Sequence, residues 1–222
     1  MGTSLWQLYG QHQGKISDKW TSYLSRYEDL FAPYRDEPIS LLEIGVQNGG
    51  SVEIWAKYFR KAVRIVGVDI NPKCGELVFD DSRIQVVVGD ATNYETQSAI
   101  VGDFDIIIDD GSHYDADIVK GFSVWFKRVR ADGLYIVEDM HCCQNSAPIN
   151  GVCHFMEIAK ELTHNRQVAP EGVFSVEFLN SLVIIHKRLP KDCGLGTRFI
   201  AGQTEAVYAP VGGHKSLHGS TL

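Results

Sequence analysis

The 222-residue sequence has no apolar run approaching the roughly 20 residues that cross a bilayer, so no membrane-spanning helix is predicted. Its N-terminus lacks both the basic and the apolar stretch of a secretory signal peptide. Basic residues form no block, and the net charge of −7 disfavours non-specific binding to nucleic acids. We therefore expect a cytoplasmic protein that binds neither a membrane nor a nucleic acid.

Cysteine is scarce, and no pair of cysteines has CxxC spacing. An odd number of cysteines without such spacing is typical of free thiols in a reducing compartment. We therefore expect free thiols rather than disulfides or a zinc site, with Cys142 and Cys143 as packing residues. The five cysteines are Cys74, Cys142, Cys143, Cys153 and Cys193.

The chain also has no internal repeat, no low-complexity tract and no GxGxxG fingerprint. Its length and ordinary apolar fraction fit one globular domain with a large core. The first predicted glycine loop has Gly45, Gly49 and Gly50 instead of the dinucleotide-binding spacing. This departure disfavours an NAD-dependent oxidoreductase.

Short apolar runs that predict buried strands alternate with segments that have helical spacing. Two more strands, joined by a short polar turn, predict a closing hairpin. The predicted fold class is α/β, with a Rossmann-like, doubly wound, mostly parallel seven-stranded sheet and a C-terminal antiparallel hairpin. The predicted strands are 39–45, 63–69, 83–88, 106–108, 134–137, 173–178 and 182–186, and the main predicted helices are 52–59, 114–129 and 152–162.

Three segments follow from composition: an aromatic-rich helical segment over 1–38, the main domain over 39–189, and an irregular tail over 190–222. Apolar spacing from Trp20 to Phe31 predicts a helix, for which Ser17 or Asp18 is the expected N-cap. Two interpretations of 1–38 stay open. The segment packs statically on the domain, or it closes over a ligand as a lid.

Acidic residues follow two neighbouring predicted strands at their carboxyl ends. Asp109 and Asp110 end one strand, Glu138 and Asp139 end the next, and His113 follows closely. Open α/β sheets bind ligands at the carboxyl ends of their strands, so these side chains should converge. Their hard oxygen atoms favour Mg²⁺, Mn²⁺ or Ca²⁺ over zinc.

Each of these residues has a structural alternative. Asp109 points away from Asp110 if the strand stays regular, which makes it structural or part of a separate ligand site. Glu138 and Asp139 alternate in the same way, so both reach one ion only if the strand ends between them. His113 is either a catalytic base or the cap of the next helix.

Four ordered motifs resemble the class I S-adenosylmethionine-dependent methyltransferases: LLEIGVQNGGS at 41–51, VGVDINP at 66–72, VVVGDATN at 86–93 and FDIIIDDGSH at 104–113. Within that superfamily, DDGSH followed by a Glu-Asp pair is similar to the metal-dependent sugar O-methyltransferases of macrolide and aminocoumarin antibiotic pathways. The stretch KISDKW before a tyrosine-rich helix resembles their N-terminal segment. The resemblance implies S-adenosylmethionine as donor, Mg²⁺ with Mn²⁺ as alternative, a sugar or glycosylated small-molecule acceptor, and a homo-oligomer.

The resemblance also implies residue roles. Asp110, Glu138 and Asp139 would bind the metal, and His113 would be the general base, since a neutral imidazole is available near pH 7. For Asp90 a structural cap remains the alternative to donor contact. The implied donor-binding residues are Glu43, Gly45, Gly49 and Ser51 for the methionine part, Asp69 for the ribose hydroxyls, Asp90 and Ala91 for the adenine, and Asp109 on the donor side.

We therefore predict a Mg²⁺-dependent O-methyltransferase that acts on a sugar or glycosylated small molecule with His113 as base. A catechol-type O-methyltransferase is the alternative within methyl transfer. From other classes, an NAD-dependent oxidoreductase and a non-catalytic donor-binding subunit remain.

Overall fold

The structure is a computed structural model that describes residues 3–146, 152–164 and 172–189. The predicted tail over 190–222 lies outside these residues. Within the described part, no helix has the length and apolar character to cross a membrane. The strands are β1 (Ser40–Ile44), β2 (Arg64–Asp69), β3 (Ile84–Val88), β4 (Phe104–Asp109), β5 (Val129–Val137), β6 (Val173–Leu179) and β7 (Leu182–Lys187).

All seven strands form one sheet in the order β3-β2-β1-β4-β5-β7-β6. Strands β1 to β5 pair in parallel, and β7 runs antiparallel to both β5 and β6. The predicted fold class is confirmed. The apolar run Ile106 to Ile108 of β4 is fully buried, as expected for a central parallel strand covered on both faces.

Helices cover the two faces of the sheet. Side chains alternate along each strand, so Ile106 and Ile108 join one apolar core while Ile107 joins the other. The first core is covered by α1, α2 and α3, and the second by α5 and α7. The helices are α1 (Leu5–Gly10), α2 (Thr21–Phe31), α3 (Gly50–Tyr58), α4 (Tyr94–Ala99), α5 (Asp115–Trp125), α6 (Met140–Ser146) and α7 (His154–His164), with 3₁₀ turns at Ala32–Tyr34, Pro72–Glu76 and Phe126–Arg128.

Several element boundaries differ from the sequence prediction, and helices α4 and α6 were not predicted. The helix predicted over 114–129 ends at Trp125, because a 3₁₀ turn leads directly into β5 at Val129. Strand β5 begins at Val129 rather than at the predicted residue 134, and it includes an irregular stretch with Asp132 at a φ of 62°. Helix α2 begins after Trp20, and neither Ser17 nor Asp18 caps it.

A disulfide joins Cys143 in α6 to Cys153 just before α7. The expectation of free thiols is therefore wrong for this pair, whereas Cys74 and Cys142 are free. The Cα atoms of Cys143 and Cys153 are 6.0 Å apart, within the range of disulfides, because α6 and the start of α7 pack together. The spacing of cysteines along the chain does not reveal this packing. Asp115 fixes the same junction by accepting hydrogen bonds from the backbone N–H groups of His154 and Phe155.

Candidate active site

Two cavities open side by side at the carboxyl edge of the parallel strands. The larger, of about 660 Å³, is called the acid cleft and is lined by Lys19, Asp110, His113, Glu138 and Asp139 among others. The smaller, of about 200 Å³, is called the small cavity and is lined by Asp90, Ala91 and Asp109 among others. Gly45, Asp69 and Gly111 line both.

Glu138 and Asp139 both face the acid cleft because β5 ends before them. The strand stops at Val137, and Asp139 has a left-handed φ of 53° that turns the chain. The backbone N–H of Glu138 still donates to the carbonyl of Asp109 at 2.9 Å, which ties the turn to β4. The alternation expected for a regular strand therefore does not separate the two carboxylates.

Asp110, His113 and Asp139 converge in the acid cleft. The Nε2 atom of His113 lies 3.9 Å from Asp110 Oδ1 and 3.9 Å from Asp139 Oδ2. The potential ligand atoms of the three residues all lie within 4.8 Å of one another. His113 does not cap α5, since Tyr114 holds that position. The structure thus places His113 among the acids, as its predicted role requires.

Lys19 is a site residue that the sequence did not reveal. Its side chain is only 3 % exposed, and its ammonium donates to Asp110 Oδ2 and, at 2.9 Å, to Glu138 Oε2. Glu43 Oε1 lies 3.7 Å from the same nitrogen. Burial alone would lower the pKa of Lys19, but the three carboxylates raise it well above its usual value, so the side chain stays charged. The motif KISDKW is the one sequence signal that contains it.

Trp20 and two side chains of α2 donate hydrogen bonds to the carboxylates of Glu138 and Asp139. Trp20 Nε1 and the Tyr23 hydroxyl donate to Asp139 Oδ1 at 3.0 and 2.9 Å. The Tyr27 hydroxyl donates to Glu138 Oε1 at 2.7 Å. Burial raises the pKa of Glu138 to about 8, although Lys19 and Tyr27 counteract the rise. Glu138 therefore takes up a proton more readily than an exposed glutamate.

The acid cleft fits a hard divalent cation by the chemistry of its donor set. Asp110, Glu138 and Asp139 contribute only carboxylate oxygens, and His113 adds a ring nitrogen within 4.8 Å of oxygen atoms of Asp110 and Asp139. One ammonium, that of Lys19, faces three carboxylates, so the cleft has an excess of negative charge. A divalent cation would offset that excess.

Glu43 and Ser51 meet beneath the acid cleft. Glu43 is fully buried in β1 and accepts hydrogen bonds from Ser51 Oγ at 2.6 Å and from Trp55 Nε1 at 3.2 Å. Burial raises the pKa of Glu43. Ser51 lies in the first turn of α3, whose N-cap is Gly49 at a φ of 85°. The hydroxyl of Ser51 holds the Glu43 carboxylate.

Gly45 permits the close approach of the loops after β1 and β4. It has a φ of 94°, and a Cβ atom there would lie 2.1 Å from the carbonyl oxygen of Asp110. No larger residue fits without moving the loop that contains Asp110. Gly45 thus links the geometry of the two cavities.

Asp69 organises the loop between β1 and α3. Its Oδ2 accepts from the backbone N–H groups of Val46 and Gln47, both at 2.8 Å, and its Oδ1 accepts from Asn71 at 2.8 Å. Because Oδ1 has one such donor, it keeps the capacity to accept another hydrogen bond. Asp69 can therefore hold the loop and still contact a ligand.

The remaining predicted residues lie on the small cavity. Asp90 Oδ1 accepts from the backbone N–H of Thr92 at 2.8 Å, so it closes its own loop and does not cap α4. The carbonyl of Ala91 accepts from Trp125 Nε1 at 3.0 Å. Burial raises the pKa of Asp109 to about 7, and the Tyr135 hydroxyl donates to it at 3.1 Å. Asp109 thus faces away from the acid cleft.

Comparison with known proteins identifies a domain within this chain. A family model described as a methyltransferase domain matches residues 42–140. The 8-demethyl-8-alpha-L-rhamnosyl tetracenomycin-C 2'-O-methyltransferase of Streptomyces olivaceus is 39 % identical over 136 residues, which are 56 % of this chain and 35 % of that protein. The mycinamicin VI 2''-O-methyltransferase of Micromonospora griseorubida is 37 % identical over 128 residues, which are 53 % of this chain and 31 % of that protein. The matched part of the chain spans about a third of the length of these relatives.

Solved structures agree with these matches. The MycE methyltransferase from the mycinamycin biosynthetic pathway, in complex with Mg and SAH, has a TM-score of 0.73 and 26 % identity, covering 89 % of this chain and 58 % of that chain. MycE in complex with Mg, SAH and mycinamycin VI has a TM-score of 0.71 and 25 % identity, covering 86 % of this chain and 55 % of that chain. Residues 42–140 therefore match a methyltransferase domain, and the chain resembles the sugar O-methyltransferases of antibiotic pathways.

Proposed function

We propose that this chain is a Mg²⁺-dependent O-methyltransferase that transfers the methyl group of S-adenosylmethionine to a hydroxyl of a sugar or glycosylated small molecule. The observation that carries the proposal is the convergence of Asp110, His113 and Asp139 beside a second cavity, at the carboxyl edge of a methyltransferase domain. The names of the relatives support the acceptor class, since they transfer methyl groups to sugar-bearing molecules.

Proton removal is the main chemical task of the protein, because a sugar hydroxyl is a very weak acid. In the proposed step the hydroxyl proton moves to His113 Nε2 while the oxygen bonds to the methyl carbon of the donor. The carbon–sulfur bond breaks and S-adenosylhomocysteine leaves. Asp110 and Asp139, each 3.9 Å from Nε2, stabilise the imidazolium that results.

Asp110, Glu138 and Asp139 would hold the divalent cation at the acid cleft. When bound there, the cation supplies positive charge that stabilises the developing alkoxide. The protein contributes fixed carboxylates, since Trp20 and Tyr23 hold Asp139 in place. Alignment of the acceptor oxygen with the methyl group of the donor then supplies much of the remaining lowering of the barrier.

The donor would lie across the small cavity with its methionine part toward the acid cleft. Asp69 Oδ1 has the capacity to accept from a ribose hydroxyl. Asp90, Ala91 and Asp109 line the side where the adenine would lie. Glu43, Gly45, Gly49 and Ser51 shape the loop at the methionine end.

The protein would self-associate, as the resemblance implies. Segment 1–38 would act as the lid of this site. Four of its side chains, Lys19, Trp20, Tyr23 and Tyr27, already contact the acids. Trp20 is 58 % exposed at the rim, where an acceptor would enter.

Mass spectrometry of acceptors incubated with protein, S-adenosylmethionine and Mg²⁺ tests the proposal. We expect glycosides to gain one methyl group on a sugar hydroxyl. A catechol that gains the methyl group while glycosides do not would favour the catechol-type alternative. Donor binding without transfer to either class would instead indicate a non-catalytic subunit.

Replacing Asp69 by Ala should weaken binding of S-adenosylhomocysteine by about 1–3 kcal/mol, because ribose hydroxyls and loop N–H groups both lose their acceptor. The wild type should bind one equivalent even after chelator treatment, since Asp69 contacts none of the acids of the metal site. Isothermal titration calorimetry measures both. Asp36→Ala, which removes an exposed carboxylate paired with Arg60, is the control and should bind like the wild type. Equal affinities for the wild type and Asp69→Ala would contradict the assignment of Asp69.

A further inference from the structure

We propose that Lys19 and a divalent cation compete for the same carboxylates, so that binding of the cation displaces the Lys19 ammonium from Asp110 and Glu138. The inference rests on the proposed function, since it takes the acid cleft as the cation site. It adds to that site a residue from outside the stretch that matches a methyltransferase domain, residues 42–140.

The position of the ammonium carries the proposal. Lys19 Nζ bridges Asp110, which follows β4, and Glu138, which follows β5. The proposed site assigns both of these carboxylates, together with Asp139, to the divalent cation. The side chain is buried rather than lying on the surface, so the bridge is a built feature of the cleft.

The ammonium and the cation cannot share these oxygens without repulsion. Mg²⁺ binds its oxygen ligands at about 2.0–2.1 Å and requires near-octahedral geometry. An ammonium bonded to the same oxygens would then lie close to a double positive charge in a poorly solvated site, where like charges repel strongly. The two cations should therefore occupy Asp110 and Glu138 alternately.

Glu43 offers the displaced ammonium a partner at short range. Its Oε1 is already 3.7 Å from Lys19 Nζ, and its other hydrogen bonds come from Ser51 and Trp55. Each carboxylate oxygen can accept more than one hydrogen bond. Lys19 can thus leave the metal ligands by a small movement and remain paired.

Calorimetric titration of Mg²⁺ into the wild type and Lys19→Met tests the competition without relying on activity. Methionine keeps the length and apolar stem of the side chain but lacks the charge. We expect Lys19→Met to bind Mg²⁺ at least about tenfold more tightly, because no ammonium has to be displaced. Lys15→Met is the matched control, because Lys15 lies in the same segment but pairs with Glu53. The affinity of this variant for Mg²⁺ should stay within about twofold of that of the wild type.

If the wild type binds Mg²⁺ and Lys19→Met binds it no more tightly, the competition is refuted and the proposed function still stands. Absence of Mg²⁺ binding by the wild type and both variants would overturn the cation site and this inference together. Should Lys19→Met fail to fold, lysine side-chain NMR of the wild type decides. The Lys19 signal should shift on addition of Mg²⁺ while that of Lys15 does not, and an unmoved Lys19 signal overturns the proposal.

Discussion

Replacing His113 by Ala should lower the rate of methyl transfer by about 10²–10⁴-fold in saturating Mg²⁺, the usual contribution of a positioned general base. The reason is geometric. His113 Nε2 lies between Asp110 and Asp139 and faces the acid cleft, where the acceptor hydroxyl would bind. Initial rates at saturating donor and acceptor measure the effect. Affinity for Mg²⁺, measured by calorimetry, should change little, since His113 is proposed to take a proton and not to bind the ion.

His141→Ala is the matched control for this prediction. His141 lies in α6, where its ring packs edge-on against Trp20 at a centroid distance of 6.0 Å, and its Nδ1 pairs with the Ser181 hydroxyl rather than with any of the three acids. Its loss should have a much smaller effect on the rate. If His113→Ala keeps full activity, the proton leaves by another route. If it loses Mg²⁺ affinity instead, His113 is a metal ligand, which its place within 4.8 Å of the acid oxygens also permits.

The fold and the acids could be predicted from the sequence because both depend on short-range patterns. Ile106 to Ile108 form an uninterrupted apolar run, which only a strand covered on both faces explains well. Parallel strands end at one edge, so Asp110 and Glu138 had to meet there once their strands were recognised. The convergence of acids thus follows from topology.

The features that escaped prediction depend on contacts distant in sequence or on single dihedral angles. Lys19 is 91 residues from Asp110 and 119 from Glu138, and the stretch KISDKW that contains it does not by itself indicate a buried lysine. The disulfide of Cys143 and Cys153 depends on how two helices pack. The direction of Asp139 depends on one left-handed residue, which a pattern of apolar and polar residues does not encode.

Chelation should abolish turnover, and Mg²⁺ should restore it, if Asp110, Glu138 and Asp139 hold one divalent cation. Asp110→Asn and Asp139→Asn should each lower the rate by about 10²–10³-fold, because the developing alkoxide loses charge stabilisation. Calorimetry should show weaker Mg²⁺ binding by both variants and unchanged binding of S-adenosylhomocysteine. Asparagine is preferred to alanine because it keeps the shape of the side chain and can still accept the hydrogen bonds that hold Asp139.

Glu138 needs a milder replacement than the other two acids. It is 1 % exposed and holds both Lys19 and Tyr27, so alanine would leave a buried ammonium with fewer partners and cost about 3–5 kcal/mol of stability. Glu138→Gln avoids most of that loss and should lower Mg²⁺ affinity in a folded protein. Asp132→Asn, in the same strand β5 but 82 % exposed and far from this edge, controls for loss of a negative charge. Loss of one negative charge alone would lower the activity of all four variants. Full activity in Asp132→Asn, with lower activity in Asp110→Asn, Asp139→Asn and Glu138→Gln, therefore assigns the effect to the metal ligands. If activity survives chelation, methyl transfer does not require the cation, and His113 removes the proton without it.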